Sequence, residues 1–173
     1  MAYSFTDGLA LVSEGGREGF IDTDGNYVIK LTDKVDYASF SDGYALIRKG
    51  NKWGFIDKKG NIVIKPAFYG AADFKEGFAS IMEKVGDKYL SGYINKKGKM
   101  ITKAIYEEVD DFQEGMACVK KNGKYGFINK KGKLVVNAIY DNAFSYENGL
   151  AYVAKGSNAY FIDKTGKKVI TIK

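Results

Sequence analysis

The 173-residue chain contains no histidine and only one cysteine, one proline and one tryptophan. Without histidine it lacks the commonest metal ligand and the commonest general base near neutral pH. Cys118 stands alone, which excludes an internal disulfide and a cysteine-based zinc site. No apolar run approaches the roughly 18 residues of a membrane-spanning helix. The opening stretch, MAYSFTDGLALVSEGG, has neither the basic nor the apolar region of a signal peptide. A soluble domain is expected, either whole or cut from a longer protein, and its compartment is left open.

What is abundant points to β structure. There are 21 glycines, 13 tyrosines and 11 phenylalanines, a mixture that suits short strands joined by tight turns. The length suits one domain with a sizeable core. Net charge is +6, but residues 1–45 carry −5 and residues 46–173 carry +11. The basic part would attract polyanions, although lysines scattered through turns also serve solubility.

One pattern recurs five times: EGFIDTDGN, KWGFIDKKGN, SGYINKKGK, KYGFINKKGK and AYFIDKTGK. Its isoleucines, Ile21, Ile56, Ile94, Ile128 and Ile162, are 35, 38, 34 and 34 residues apart. A second signature precedes each: FTDGLALV, FSDGYALI, FKEGFASI, FQEGMACV and YENGLAYV. Such self-similarity marks a repeat architecture. The approximate units are 3–34, 35–68, 69–106, 107–140 and 141–173.

Each unit reads as a three-stranded antiparallel meander. In the first strand an alanine column (Ala10, Ala45, Ala79, Ala117, Ala151) alternates with the mixed column Leu11, Leu46, Ser80, Cys118 and Tyr152. Alternation puts the alanines toward the core and leaves Cys118 partly exposed. The second strand carries the aromatic-isoleucine pair. The third carries Val28, Val63, Ile101, Val135 and Val169. Between them D/N-x-x-G predicts a type I turn closed by a left-handed glycine, with the Asp or Asn capping backbone N–H groups. Phe68, Tyr106 and Tyr140 in the linkers are expected to pack between units. The third unit has 15 residues between Gly77 and Gly92 where others have 11, which predicts a protruding hairpin around Val85–Leu90. A unit of this size cannot pack a core alone, so neighbours must share one. The fold class is therefore all-β, an open curved or superhelical array of five meanders, with a closed five-bladed ring as the alternative.

These motifs resemble the WG, or KWG, repeat family of bacterial proteins over essentially the whole chain. Trp53-Gly54 carries the full aromatic-glycine pair and Tyr125-Gly126 a tyrosine version, whereas Glu18, Ser91 and Ala159 depart at the first place and Tyr160 at the second. Pro66 matches the family's linker proline. The resemblance implies a β-rich array with no common catalytic residues. The sequence offers no catalytic constellation of its own, so neither an enzyme nor a cofactor is expected.

Other site readings are weaker. DTDGN at Asp22–Asn26 resembles the start of a calcium loop but lacks enough oxygen ligands, and its sister turns hold lysines. EEVDDF, from Glu107 to Phe112, offers close carboxylates but reads as a solvated loop. Two features remain as binding candidates. Trp53 and Tyr125 are aromatic platforms, and Lys58, Lys59, Lys96, Lys97, Lys130, Lys131 and Lys164 align as a basic ridge if the units stack in register. The expected role is a scaffold for a protein or cell-surface ligand, with glycan or polyanion binding as the alternative. Nucleic acid is expected to bind only weakly and without sequence preference.

Overall fold

The computed structural model describes residues 3–15, 17–31 and 39–172. It shows five small antiparallel sheets in tandem. The first holds β1 (Ala10–Glu14), β2 (Arg17–Ile21) and β3 (Tyr27–Leu31). The second holds β4 (Phe40–Ser41), β5 (Tyr44–Lys49), β6 (Lys52–Asp57) and β7 (Ile62–Phe68). The third is β8 (Gly70–Ala71), β9 (Phe78–Val85), β10 (Lys88–Asn95) and β11 (Met100–Tyr106). The fourth is β12 (Glu108–Val109), β13 (Met116–Lys121), β14 (Lys124–Asn129) and β15 (Leu134–Tyr140). The fifth is β16 (Asn142–Ala143), β17 (Ala151–Lys155), β18 (Asn158–Ile162) and β19 (Lys168–Ile172). Among the described residues there is no helix, and no sheet closes on itself. The fold is an open tandem array.

The predicted meander is present in every unit, and four units gain a fourth strand. β8, β12 and β16 add to their sheets in one register, Ala71 opposite Ile81, Val109 opposite Val119 and Ala143 opposite Val153. Two-residue strands leave no alternation to detect, so the linkers gave no sign of them. EEVDDF is therefore part strand, Glu108–Val109, and not wholly a loop. The predicted protrusion is a continuation of β9 and β10, paired out to Val85 opposite Lys88 around Gly86-Asp87.

The D/N-x-x-G turns form as their chemistry dictates. Asp57 Oδ1 accepts from the N–H groups of Lys59 and Asn61, both at 2.9 Å, and Asn95 and Asn129 cap their own turns in the same way. Gly60 closes the turn at φ 81°, in the left-handed region where a side chain would be strained. The glycine of the aromatic-glycine pair has a different cause. A Cβ on Gly54 would lie 2.4 Å from the Ile64 carbonyl oxygen, and one on Gly126 would lie 2.5 Å from that of Val136. The third strand bulges over this position, so only glycine fits. In the fifth unit, where a tyrosine stands at this place, β19 runs past it without a bulge there, Tyr160 lying opposite Thr171.

The core lies between units. Phe20 and Ile29 of the first pack with Phe40, Ala45 and Ile56 of the second, and the same arrangement recurs at each later junction. Tyr106 and Tyr140 are buried in these clusters and Phe68 packs against one, as expected for the linkers. Each of the three inner sheets is thus covered on both faces by its neighbours. Alternation along the first strand consequently fails to mark an exposed side, and Cys118, expected to be partly exposed, is buried. In the third strand the column that faces the next unit is Ile29, Ile64, Thr102 and Val136, one residue beyond the recurring column of Val28, Val63, Ile101 and Val135. Val28, Val63 and Val169 are exposed.

Candidate interaction surface along the turns

The second signature builds a corner in every unit. Asp7, Asp42, Glu76, Glu114 and Asn148 all sit at φ between 51° and 55°, and each is followed by a glycine at positive φ. Two consecutive left-handed residues make a type I′ hairpin turn, confirmed by the bridges Thr6–Leu9, Lys75–Phe78, Gln113–Met116 and Glu147–Leu150. Asn and Asp tolerate this conformation, whereas glutamate is strained there by about 1 kcal/mol or more.

The acids justify that strain by reaching the following unit. Asp42 Oδ2 accepts from the Gly77 N–H at 2.6 Å, Glu76 Oε2 from Gly115 at 2.9 Å and Glu114 Oε2 from Gly149 at 2.9 Å. Asp7 makes the same bond to Gly43 at 2.7 Å. A lysine from the D/N-x-x-G turn of the following unit completes each clamp. Lys96 Nζ lies 2.9 Å from Asp42, Lys130 3.1 Å from Glu76 and Lys164 3.1 Å from Glu114, while Lys58 donates to the Asp7 carbonyl at 2.6 Å. Burial opposes ionisation of Asp42 and Glu76, but their lysine and backbone partners outweigh it and hold both carboxyls below their ordinary values. For Glu114 the Lys164 bond dominates, in the same direction.

The predicted lysine ridge thus divides into two columns with different situations. Lys58, Lys96, Lys130 and Lys164 tie each unit to the one before. Lys59, Lys97 and Lys131 are exposed and form the part of the ridge that faces outward. Trp53 and Tyr125 are not brought together, since the third unit stands between them. Trp53 is half-buried with the Arg48 guanidinium 5.6 Å from its ring centre. Tyr125 donates to Glu108 Oε2 at 2.6 Å, beneath Lys120. Asp22 forms the same turn as its sister residues, accepting from Asp24 and Asn26. Sequence reading missed the clamping acids, although D/E-G stood in every signature but the last, because their partners lie a whole unit away.

A family model described as WG containing repeat matches residues 19–53, 53–89, 92–125 and 125–158. The chain belongs to the WG repeat family. Each matched repeat begins at the second strand of one sheet and ends at the second strand of the next, so one WG repeat spans one junction. That frame explains how four matches accompany five sheets. No curated protein matches the chain. Among solved structures, Hsv2p of Kluyveromyces lactis is 12% identical, with 94% of this chain covered and a TM-score of 0.56. The match covers 60% of the Hsv2p chain, and the likeness is one of fold alone. A protein of unknown function from Bacteroides caccae matches over 99% of this chain and 80% of its own, at 16% identity and a TM-score of 0.37.

Proposed function

We propose that this WG-repeat module is a non-enzymatic scaffold that docks a protein or cell-surface ligand along its outer strands. The observation that carries the reading is the repeated apolar exposure of the third strands. Each third strand is an edge of its sheet, and Val28, Ile62, Val63, Ile105 and Ile139 are exposed on them, with Ile62 at 58%. Unpaired edges with apolar side chains are natural docking sites for an extended segment of another protein. Pro66, on the edge strand β7, limits promiscuous pairing at one point.

Binding of a glycan or polyanion is the second reading. Lys59, Lys97 and Lys131 favour it, but the clamped lysines leave it fewer free charges. Titrating a labelled oligonucleotide and a sulfated oligosaccharide at low salt and at ~0.15 M salt separates the two. Weak binding that vanishes at the higher salt is the expected outcome. Tight binding that survives it overturns the scaffold reading in favour of the polyanion one.

A further inference from the structure

Three contacts recur at every junction inside the chain. The first is an edge-to-face aromatic pair: Phe20 with Phe40, Phe55 with Phe74, Tyr93 with Phe112 and Phe127 with Tyr146, centroids 4.7–5.1 Å apart and planes at 61–71°. The incoming ring is never more than 4% exposed. The second contact sets the turn glycine of the incoming unit on the third strand of the unit before. A Cβ on Gly60, Gly98 or Gly166 would meet Ile29, Ile64 or Val136 at 2.9–3.3 Å, and one on Gly132 would meet Ile101 and Thr102. The third is the acid–glycine–lysine clamp.

At the two ends of the array each contact is present as one half. Phe5 occupies the place of the incoming ring in the first unit and is 49% exposed. Its missing counterpart is Phe161, half-buried on the outer face of the fifth unit. Gly25 has open space where its sister glycines meet a neighbour, and Ile170, which occupies the position of Ile29, Ile64 and Val136, is 49% exposed. The clamp halves are altered together: Asn148 replaces the acid on the fifth unit and Thr23 replaces the lysine on the first. A junction of the fifth unit with a first unit would therefore hold a neutral pair and no unmatched charge. Ala10 and Val12 on the head face are already covered, so its open part is Phe5 with half-buried Ile21.

We propose that the tail face of the fifth unit receives the head face of a second copy of this chain, so that copies associate head to tail. The occupant is a second copy because its first unit carries the complementary half of all three contacts. Charge acts the same way, since residues 1–45 carry −5 and the remainder +11, which attracts the head of one copy to the body of another. Such an interface is heterologous: it closes into a ring or grows into a filament according to its rotation. The proposal goes beyond the scaffold reading and is separable from it, because a monomeric chain keeps its exposed edge strands.

The test is sedimentation of the 173-residue chain from roughly 1 µM to 1 mM, a range that brackets ordinary weak association. The wild-type mass should rise with concentration. Phe5→Ser has a damaged head and an intact tail, and Ile170→Lys the reverse, so each alone should stay monomeric. Mixed in equal amounts they should form dimers and nothing larger, since only one productive junction remains. A wild type that is monomeric throughout, variants that associate as the wild type does, or a mixture that stays monomeric overturns the proposal. Circular dichroism checks that both variants fold. Should either fail, Thr23→Lys with Asn148→Glu tests the same junction by installing the clamp, and association should tighten roughly fivefold. An unchanged association overturns the proposal by that route.

Discussion

Glu76 and Gly115 belong to successive units 39 residues apart, and the carboxylate of one accepts the N–H of the other at 2.9 Å. Glu76 holds a left-handed backbone at φ 51° to do so. In a tandem array neighbouring units could slide along their shared apolar faces, because hydrophobic burial has no direction. A charged acceptor aimed at one backbone N–H, with a lysine beside it, fixes the register that burial leaves loose.

Removing a clamp should therefore lower stability modestly. Glu76→Ala loses a charge-assisted hydrogen bond at a group about one-third exposed, and the expected cost is about 1 kcal/mol. Lys130→Met, which leaves the glycine bond in place, should cost under about 0.5 kcal/mol. Glu76 and Glu114 act at different junctions, so the double alanine variant should show the sum of the single effects. Urea denaturation followed by the fluorescence of Trp53 measures this. A double variant that unfolds with the wild type would mean that the clamps add nothing.

The same acids contribute to the response to acid. Asp42, Glu76 and Glu114 have carboxyls held below their ordinary values of 3.8 and 4.5, so each stabilises the fold when ionised. Asp57 is lowered too, chiefly by the Asn61 side chain and backbone. A carboxyl that is more acidic folded than unfolded contributes fully above its unfolded value and loses that contribution as pH falls through its folded one. The melting temperature should hold steady above about pH 5 and drop as the solution is acidified below about pH 4.5. Replacing Glu76 and Glu114 with glutamine should flatten that drop, and an unchanged slope would assign the acid response to other groups.

Cys118 provides a chemical reading of the packing. It lies in the cluster shared by the fourth and fifth units, where burial, followed by the charges of Asp110 and Glu108, pushes its thiol up to about 12. A thiol of that kind holds almost no thiolate at pH 8. A thiol-specific reagent should leave it untouched in the native protein and modify it completely in denaturant. Fast native labelling would show that the fourth and fifth units separate readily.

The features legible in the sequence are those decided within a few residues. D/N-x-x-G fixes its own turn, the two recurring signatures fix the repeat, and the alternation of GLALV-like segments fixes a strand. The features that were not legible depend on where the next unit lies. Lys96 looked like its neighbour Lys97, since nothing local shows that one meets Asp42 and the other faces outward. Cys118 sat on the side that alternation marks as less buried, because the rule assumes a sheet with one covered face and this one has two. Val63 and Ile64 are both β-branched, and only the approach of Gly98 decides which of them is buried.

The turn glycines give the sharpest test of that approach, because one motif meets three different surroundings. Gly25, Gly98 and Gly132 all lie at positive φ, between 74° and 85°, so alanine at any of them carries a similar backbone strain of about 1 kcal/mol. They differ in what a Cβ would touch. At Gly25 it meets open space, at Gly98 the Ile64 side chain at 3.3 Å, and at Gly132 the Ile101 carbonyl oxygen at 2.1 Å. A side chain can rotate aside, whereas a paired strand cannot retreat without opening the junction. Gly25→Ala should therefore cost about 1 kcal/mol, Gly98→Ala slightly more and Gly132→Ala about 3 kcal/mol or more. Valine at Gly60 or Gly132 should exaggerate the trend, since a β-branched side chain tolerates the left-handed region worst. Denaturation midpoints would reveal the order, and equal losses at all three positions would mean that only the turn, and not the contact between units, requires glycine.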